Sequence, residues 1–108
     1  MTLREFYNSE KKYALYIKDE QEFFSILDSV KEYWDALKKT PVEKLSTFLE
    51  MANHGELCLS NSPGYSSLGW YIGEHYEILT LDDISDIGST KPLYIVTVYG
   101  NIKEVLQN

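Results

Sequence analysis

Residues 64–81 read GYSSLGWYIGEHYEILTL. Two apolar runs, 66–72 and 76–81, flank a short polar loop made of Gly73, Glu74 and His75. Apolar runs on both sides of a short loop containing glycine predict a β-hairpin.

The side-chain pattern selects the length of the hairpin loop. A three-residue loop opposes Ile72 to Tyr76 and Trp70 to Ile78 on one face, whereas a two-residue loop mixes apolar and charged side chains on both faces. We therefore expect a three-residue loop at 73–75. Such loops usually end in glycine, and His75 stands at that position instead.

The charge of the chain is concentrated around the predicted hairpin. No Lys or Arg occurs between residues 45 and 90, a segment we call the acidic window. Acids and bases balance outside it, so the whole formal net charge of -7 lies within it. Such asymmetry bears on association with partners, although an acidic surface can also serve solubility alone. The window contains seven carboxylates: Glu50, Glu56, Glu74, Glu77, Asp82, Asp83 and Asp86.

The length of 108 residues suits one domain, 1–108, with a core large enough to fold without a disulfide or metal. Cys58 is the only cysteine, which excludes an intramolecular disulfide and favours a reducing compartment. Residues 1–12 are charged from Arg4 onward, and no apolar run is long enough to cross a bilayer. We therefore expect a cytoplasmic protein with no membrane partner. The sequence pI of about 4.7 argues against direct binding to nucleic acid.

Two helices are predicted before the hairpin, and the second extends into the acidic window. Asp19 and Glu22 form an N-terminal capping pattern, and apolar residues at helical spacing continue to Leu37, which predicts about five turns. Thr40, Pro41 and Glu43 predict the start of a second helix that runs to Asn53 and stops at Gly55. Because the connection is short, the two helices should form an αα-hairpin.

Strand patterns occupy most of the remaining chain. Residues 12–18 and 56–60 alternate apolar and other side chains, and residues 61–64 form a turn. Residues 93–99 predict a central strand, and Asn101 suits the start of a terminal helix. The first eleven residues are ambiguous, with a single helical turn at Leu3, Phe6 and Tyr7 as one interpretation. Thr80 and Asp83 suit the cap of one helical turn that reaches residue 87. The predicted fold is α+β, an antiparallel sheet of four or five strands with the αα-hairpin packed on one face.

Candidate catalytic and metal-binding residues are few. His54, Cys58 and His75 do not form a zinc pattern, which needs four ligands, and no nucleophile motif surrounds Cys58. The aspartates of residues 82–86 do not fit a calcium loop, because Ile84 occupies its third position. We expect no metal or other cofactor and no enzymatic activity.

The aromatic residues of the predicted hairpin have two interpretations. They are cross-strand partners that stabilise the hairpin, or they are apolar anchors of an interface surrounded by carboxylates. The second interpretation suits a surface that binds a basic groove of another protein, where aromatic residues contribute affinity and carboxylates steer the association. The predicted partner-binding residues are Trp70, Tyr71, Tyr76, Glu74, Glu77, Asp82, Asp83 and Asp86.

The sequence therefore favours a non-enzymatic, acidic protein-binding module. Its sharpest form is a stoichiometric inhibitor that occupies the basic nucleic-acid-binding surface of a nuclease or other nucleic-acid enzyme. Phage anti-restriction and anti-CRISPR proteins, and immunity proteins against toxin nucleases, are of this type. One alternative is a small-molecule-binding domain or small enzyme with a pocket on the sheet near His75. Another is a structural homodimer whose aromatics bury against a second copy.

Overall fold

Four strands form one sheet, and short helices cover its two faces. A computed structural model describes residues 1–87. The strands are β1 (Tyr13–Ile17), β2 (Leu57–Ser60), β3 (Gly64–Ser67) and β4 (Glu77–Leu79). The helices are α1 (Leu3–Asn8), α2 (Glu20–Lys31), α3 (Asp35–Lys38), α4 (Ser46–Asn53) and α5 (Leu68–Gly73), with 3₁₀ turns at Val42–Lys44 and Leu81–Asp83.

The strands lie in the order β3-β2-β1-β4. The pairs β1–β2 and β2–β3 are antiparallel, whereas β4 pairs with β1 in parallel. The α+β prediction is therefore confirmed with four described strands, and the sheet is mixed, not purely antiparallel. The predicted strand at 93–99 and the predicted terminal helix lie outside the described residues.

Strand β1 supplies side chains to both faces of the sheet. Tyr13, Leu15 and Ile17 belong to one core cluster, while Ala14 belongs to a second. Successive side chains of a strand point to opposite faces, so the two clusters lie on opposite sides of the sheet. The predicted strand at 12–18 is confirmed.

The larger core fills the first face of the sheet, where α1, α2 and α4 pack. Burying an apolar side chain of this size contributes about 1.5–3 kcal/mol, so this face supplies most of the hydrophobic stabilisation among the described residues. The fully or almost fully buried side chains that the helices and their connections contribute are Leu3, Phe6, Phe23, Phe24, Ile26, Leu27, Val30, Leu37, Leu45 and Ala52.

The first predicted long helix is shorter than its apolar pattern suggests. Asp19 caps α2 as predicted, because its carboxylate accepts the Glu22 N–H at 2.8 Å. The helix ends at Lys31, and α3 follows after a break at Trp34, whose backbone is extended. The break separates two aromatic side chains: Tyr33 stacks on Tyr7 at 4.8 Å, whereas Trp34 packs against Phe48 at 5.9 Å.

The second predicted helix starts later than its capping pattern suggests. The Thr40 hydroxyl donates to the Ala36 carbonyl at 2.8 Å and does not cap a helix. Residues 42–44 form a 3₁₀ turn, and α4 begins only at Ser46. Helices α2 and α4 are in contact, but the chain does not form the two continuous helices of the predicted αα-hairpin.

The predicted β-hairpin at 66–81 is wrong. Residues 68–73 form α5, and β4 pairs with β1 at the sheet edge opposite β3. The Ser67 hydroxyl caps α5 by accepting the Trp70 N–H at 3.2 Å. Three strand spacings separate β3 from β4, about 14 Å, and six helical residues with a short loop span that distance. Helix α5 therefore carries the chain across the second face of the sheet.

Helices α4 and α5 end in the same hydrogen-bond arrangement, the Schellman motif. At α5, His75 N–H donates to Ile72 O and Tyr76 N–H donates to Tyr71 O, at 3.1 and 3.0 Å. At α4, the N–H groups of residues 55 and 56 make the corresponding bonds to residues 52 and 51. The left-handed position is Gly55 in α4, with φ 70°, as predicted. In α5 it is His75, with φ 64°.

Two short helical features agree with sequence patterns. Of the interpretations that the sequence left open for the first eleven residues, the structure shows the helical one as α1, which Thr2 caps by accepting the Glu5 N–H at 3.1 Å. The turn predicted after Thr80 is confirmed as a 3₁₀ turn, although it ends at Asp83. None of the helices in residues 1–87 has the length and apolar character needed to cross a membrane.

The two Schellman motifs predict opposite responses to substitution. A non-glycine residue in the left-handed region destabilises the folded state by about 1–2 kcal/mol. Glycine removes this strain, but it loses more conformational entropy on folding, which offsets part of the gain. We expect His75→Gly to raise the free energy of unfolding by about 0.5–1 kcal/mol. Gly55→Ala should lower it by about 1–2 kcal/mol, because a Cβ there would also lie 3.3 Å from the Tyr16 hydroxyl. Urea denaturation measures both.

The control for these two variants is His54→Gly. His54 is the C-cap of α4 with φ -91°, where glycine has no conformational advantage. We expect this variant to be less stable by about 0.5–1 kcal/mol. Equal effects of glycine at 54 and at 75 would contradict the role assigned to the left-handed position.

Candidate functional site

The second face of the sheet carries a small core under α5. Ala14, Cys58 and Tyr71 are buried there. Tyr16, Leu68, Tyr76 and Ile78 pack around them and are only half-buried. This face is less completely covered by the described residues than the first one.

Tyr71, predicted as a partner-binding residue, is the core residue of α5. Its side chain is 3% exposed and meets the Tyr76 ring edge-on at 4.8 Å. Burial raises the pKa of the Tyr71 hydroxyl, and a hydrogen bond with Ser60 partly opposes this rise. Tyr71 therefore has almost no surface to offer a partner.

The neighbours of Tyr71 are the exposed apolar side chains of this face. Trp70 is 51% exposed and Ile72 is 57% exposed. Successive residues of a helix are turned by about 100°, so these two side chains flank the buried direction of Tyr71 on either side. The outward side of α5 carries Gly69 and Gly73, and apart from the helix's own backbone and the adjacent residues no described atom lies within 4 Å of a Cβ built at either one.

The C-terminal end of α5 contains two local conflicts. Glu74 is the C-cap, and a carboxylate is unfavourable at the negative end of a helix. His75 then adopts the left-handed conformation that favours glycine. The Lys12 ammonium lies at this end, donates to the Glu74 carbonyl at 3.1 Å, and stands 4.8 Å from the centre of the Tyr76 ring.

The carboxylates of the predicted site do not share one face. Glu74 lies at the end of α5. Glu77 is exposed, but it alternates with Ile78, which packs on the second core, so its side chain points to the first face together with Leu79. Asp82 is exposed beyond the other end of β4.

Two of the predicted carboxylates have structural partners. Asp83 accepts the Thr80 N–H at 2.8 Å, and Asp86 accepts the Leu3 N–H at 2.8 Å at the start of α1. The Ser85 N–H donates to the Met1 carbonyl at 2.7 Å. The segment after β4 is thus fastened to the start of the chain, and the structure groups Trp70, Tyr76 and Glu74 without Asp82, Asp83 or Asp86.

The residues considered for catalysis or metal binding are separated. Cys58 is buried, and burial raises the pKa of its thiol to about 12, which keeps it protonated at neutral pH. The His54 Nδ1 atom lies 2.9 Å from the Glu50 carbonyl, and His75 is exposed beyond α5. Within residues 1–87, no three His, Cys, Asp or Glu side chains lie together in a way that could hold a metal ion.

Two grooves occur away from α5. One, of about 630 Å³, lies between the start of α2 and residues 81–87, and one of about 230 Å³ lies beside His54. His75 lines neither of them. In the larger groove, the Glu22 carboxylate accepts the Lys18 N–H at 3.0 Å and lies 3.8 Å from the Lys18 ammonium, so that carboxylate is already satisfied.

Sequence reasoning did not identify Ile72 as part of this surface or Lys12 as its neighbour. Interpreting Ser67 as a helix cap would have placed Ile72 on α5, next to Tyr71. No sequence signal indicates Lys12, because it reaches α5 only through the parallel pairing of β1 and β4. We call Trp70, Ile72, Glu74 and Tyr76 the α5 surface.

Comparison of the chain with protein-family models, with curated proteins and with solved structures found no match.

The contrast between Tyr71 and Trp70 is testable by stability measurements. Truncating a buried aromatic leaves a cavity, so we expect Tyr71→Ala to lower the free energy of unfolding by about 3 kcal/mol. Trp70→Ala should lower it by about 1 kcal/mol, the scale of its aromatic contacts. Thermal and urea denaturation measure both, and a larger loss for Trp70→Ala would contradict this assignment of core and surface.

The burial of Cys58 predicts an unreactive thiol. With a pKa near 12 the thiolate fraction at pH 8 is far below that of the unfolded chain, so labelling of the native protein should be about 1000-fold slower. Reaction with a disulfide reagent, with and without denaturant, measures the two rates. Rapid labelling of the native protein would show that Cys58 is accessible.

Proposed function

We propose that this protein is a non-enzymatic, acidic binding module that associates with a basic protein through the α5 surface. The observation that carries the proposal is the exposure of Trp70 and Ile72, 51% and 57%, on the helix that covers the second face of the sheet. Tryptophan is among the residues that contribute most to binding energy in protein interfaces.

The shape of α5 supports a docking role. Its outward side carries two glycines, so a partner can approach the helix backbone between Trp70 and Ile72. The two other exposed large apolar side chains of the described residues are Met1 and Tyr65. Tyr65 packs against Phe48 at 4.3 Å, on the first face of the sheet. Among the described residues, the second face of the sheet therefore exposes its large apolar side chains on α5, at Trp70 and Ile72.

The charge supports a basic partner. The α5 surface lies inside the acidic window, whose sequence contains no Lys or Arg, although the fold brings the Lys12 ammonium to the end of α5. Carboxylates need not touch a partner to attract it, because charges act over about a Debye length, 8–10 Å at moderate salt. Glu77, Asp82, Asp83 and Asp86 therefore contribute to steering from outside the contact, while Glu74 borders it.

The sharpest form of the proposal is a stoichiometric inhibitor. Nucleic-acid enzymes carry extended positive surfaces, and an acidic protein that occupies one competes with the nucleic acid. This is the mode of action we propose, of the kind found among anti-restriction, anti-CRISPR and toxin-immunity proteins.

The test has two stages, capture and competition. Immobilised protein is exposed to lysate of the source cell or its host, captured enzymes are identified, and each purified enzyme is tested for displacement of labelled nucleic acid. We expect wild-type protein to displace the nucleic acid at one-to-one stoichiometry. Trp70→Ala should weaken the association at least tenfold, the scale of an interface hot spot. Glu74→Gln should weaken it mainly at low salt.

Two variants serve as matched controls. Tyr65→Ala removes an exposed aromatic from the first face, and Asp28→Asn removes one exposed charge from α2. Both should bind as the wild type does. The proposal fails if Trp70→Ala and Tyr65→Ala bind equally well, or if the captured partner retains its nucleic acid in the complex.

A further inference from the structure

We infer that the α5 surface recognises a Lys or Arg side chain of its partner at a cation site, which Lys12 of the same chain fills in the free protein. The inference rests on the proposed function and deepens it. It identifies the partner group that is bound and a contact within the chain that competes with it.

The site has the components that bind an ammonium or guanidinium group. The Glu74 carbonyl, at the negative end of α5, accepts a hydrogen bond from the Lys12 ammonium at 3.1 Å. The Tyr76 ring presents its face to the same ammonium, 4.8 Å from the ring centre. A carbonyl at a helix C-terminus and an aromatic face both attract cations, and here they converge on one point.

The geometry at the end of α5 is fixed by the fold. The Schellman motif places Tyr76 directly after the helix, and the edge-on contact with buried Tyr71 holds the Tyr76 ring. The unfavourable conformation of His75 and the position of Glu74 at the negative helix end add no contact to the core, since both residues are exposed. Local conflicts of this kind are expected where a surface is shaped for binding.

Lys12 is suited to leave the site. Its side chain is exposed, and contacts of an exposed ammonium with a ring or carbonyl are weak. Its backbone stays in place when the side chain moves, because the Lys12 carbonyl accepts the Glu77 N–H at 2.8 Å in the pairing of β1 with β4. The chain therefore holds its own cation at the position where a basic partner would place one, and that partner must displace it.

The test compares two variants that lose the same charge. Lys12→Gln empties the cation site, whereas Lys11→Gln removes the neighbouring exposed lysine, whose ammonium has no partner among residues 1–87. The probe is a fluorescent ten-residue oligolysine, measured by anisotropy at low and moderate salt. We expect Lys12→Gln to bind the probe about two- to fivefold more tightly than Lys11→Gln. This ratio corresponds to the binding free energy of one exposed cation–π contact. Lys12→Arg should resemble the wild type.

A second readout follows Lys12 itself. Because Lys12 lies over the Tyr76 ring, its ε-methylene protons should show an upfield NMR shift in the wild type. Saturation with oligolysine should return them toward the values of a free lysine. Tyr76→Phe should retain the upfield shift, and Tyr76→Leu should abolish both the shift and the difference between the two lysine variants.

The possible results separate the inference from the proposed function. Equal binding by Lys12→Gln and Lys11→Gln, an unmoved Lys12 resonance at saturation, or no binding of the probe by any variant would overturn the cation site. The proposed function would still stand if a captured enzyme released its nucleic acid and Trp70→Ala reduced that effect. If Trp70→Ala had no effect on the enzyme, the proposed function would fall whatever the probe showed.

Discussion

The position of β1 between β2 and β4 is the constraint on which the rest of the structure depends. Hydrogen bonds occupy both of its edges, antiparallel on one side and parallel on the other. Because β3 lies at the far edge of the sheet, the chain must cross three strand spacings before it can add β4. The second face of the sheet is the surface that α5 crosses. The burial of Tyr71 and the exposure of Trp70 and Ile72 follow from that crossing.

Helix α5 is far too short to be stable by itself, since isolated helices shorter than about 12–15 residues are marginal in water. It is held by the Ser67 cap, by the burial of Tyr71 and by the Schellman motif that leads into Tyr76. These contacts hold the inner side of the helix against the sheet. The outer side makes no comparable packing contact with the described residues. Its C-terminal end, where Glu74, His75 and Lys12 meet, carries features that do not serve the core, and we propose that they serve a partner.

The carboxylates of the acidic window lie in one segment of the sequence, but they do not form one acidic patch on the folded protein. Asp83 accepts the Thr80 N–H within its own turn, whereas Asp86 accepts the Leu3 N–H and fastens the segment after β4 to α1. Glu77 points to the first face, and Glu74 belongs to the α5 surface. Such a distribution contributes a broad negative field. In the proposed function this field steers a basic partner at long range, and apolar contact at α5 contributes affinity.

Much of the fold was predictable because local patterns agreed with the tertiary structure. Alternation predicted β1 and β2, the Asp19 cap predicted the start of α2, and Gly55 predicted the end of α4. The hairpin prediction failed because Trp70, Tyr71 and Ile72 favour strands in general, whereas in the structure Ser67 caps a helix there and β4 pairs with β1. For the candidate site, the sequence predicted Trp70, Tyr76 and Glu74, which the structure places close together around α5, and also Tyr71, which the fold buries.

Three properties could be established from the sequence: the composition of the acidic window, the presence of aromatic residues within it, and the α+β character of the fold. These properties depend on residue type and on spacing along a few neighbouring positions. Only the tertiary structure decided that β4 pairs in parallel with β1, that Tyr71 is inside and Trp70 outside, and that Lys12 reaches the end of α5. Each of those results depends on contacts between residues far apart in the chain. The spacing of residues along a short segment does not reveal the free energy of such contacts.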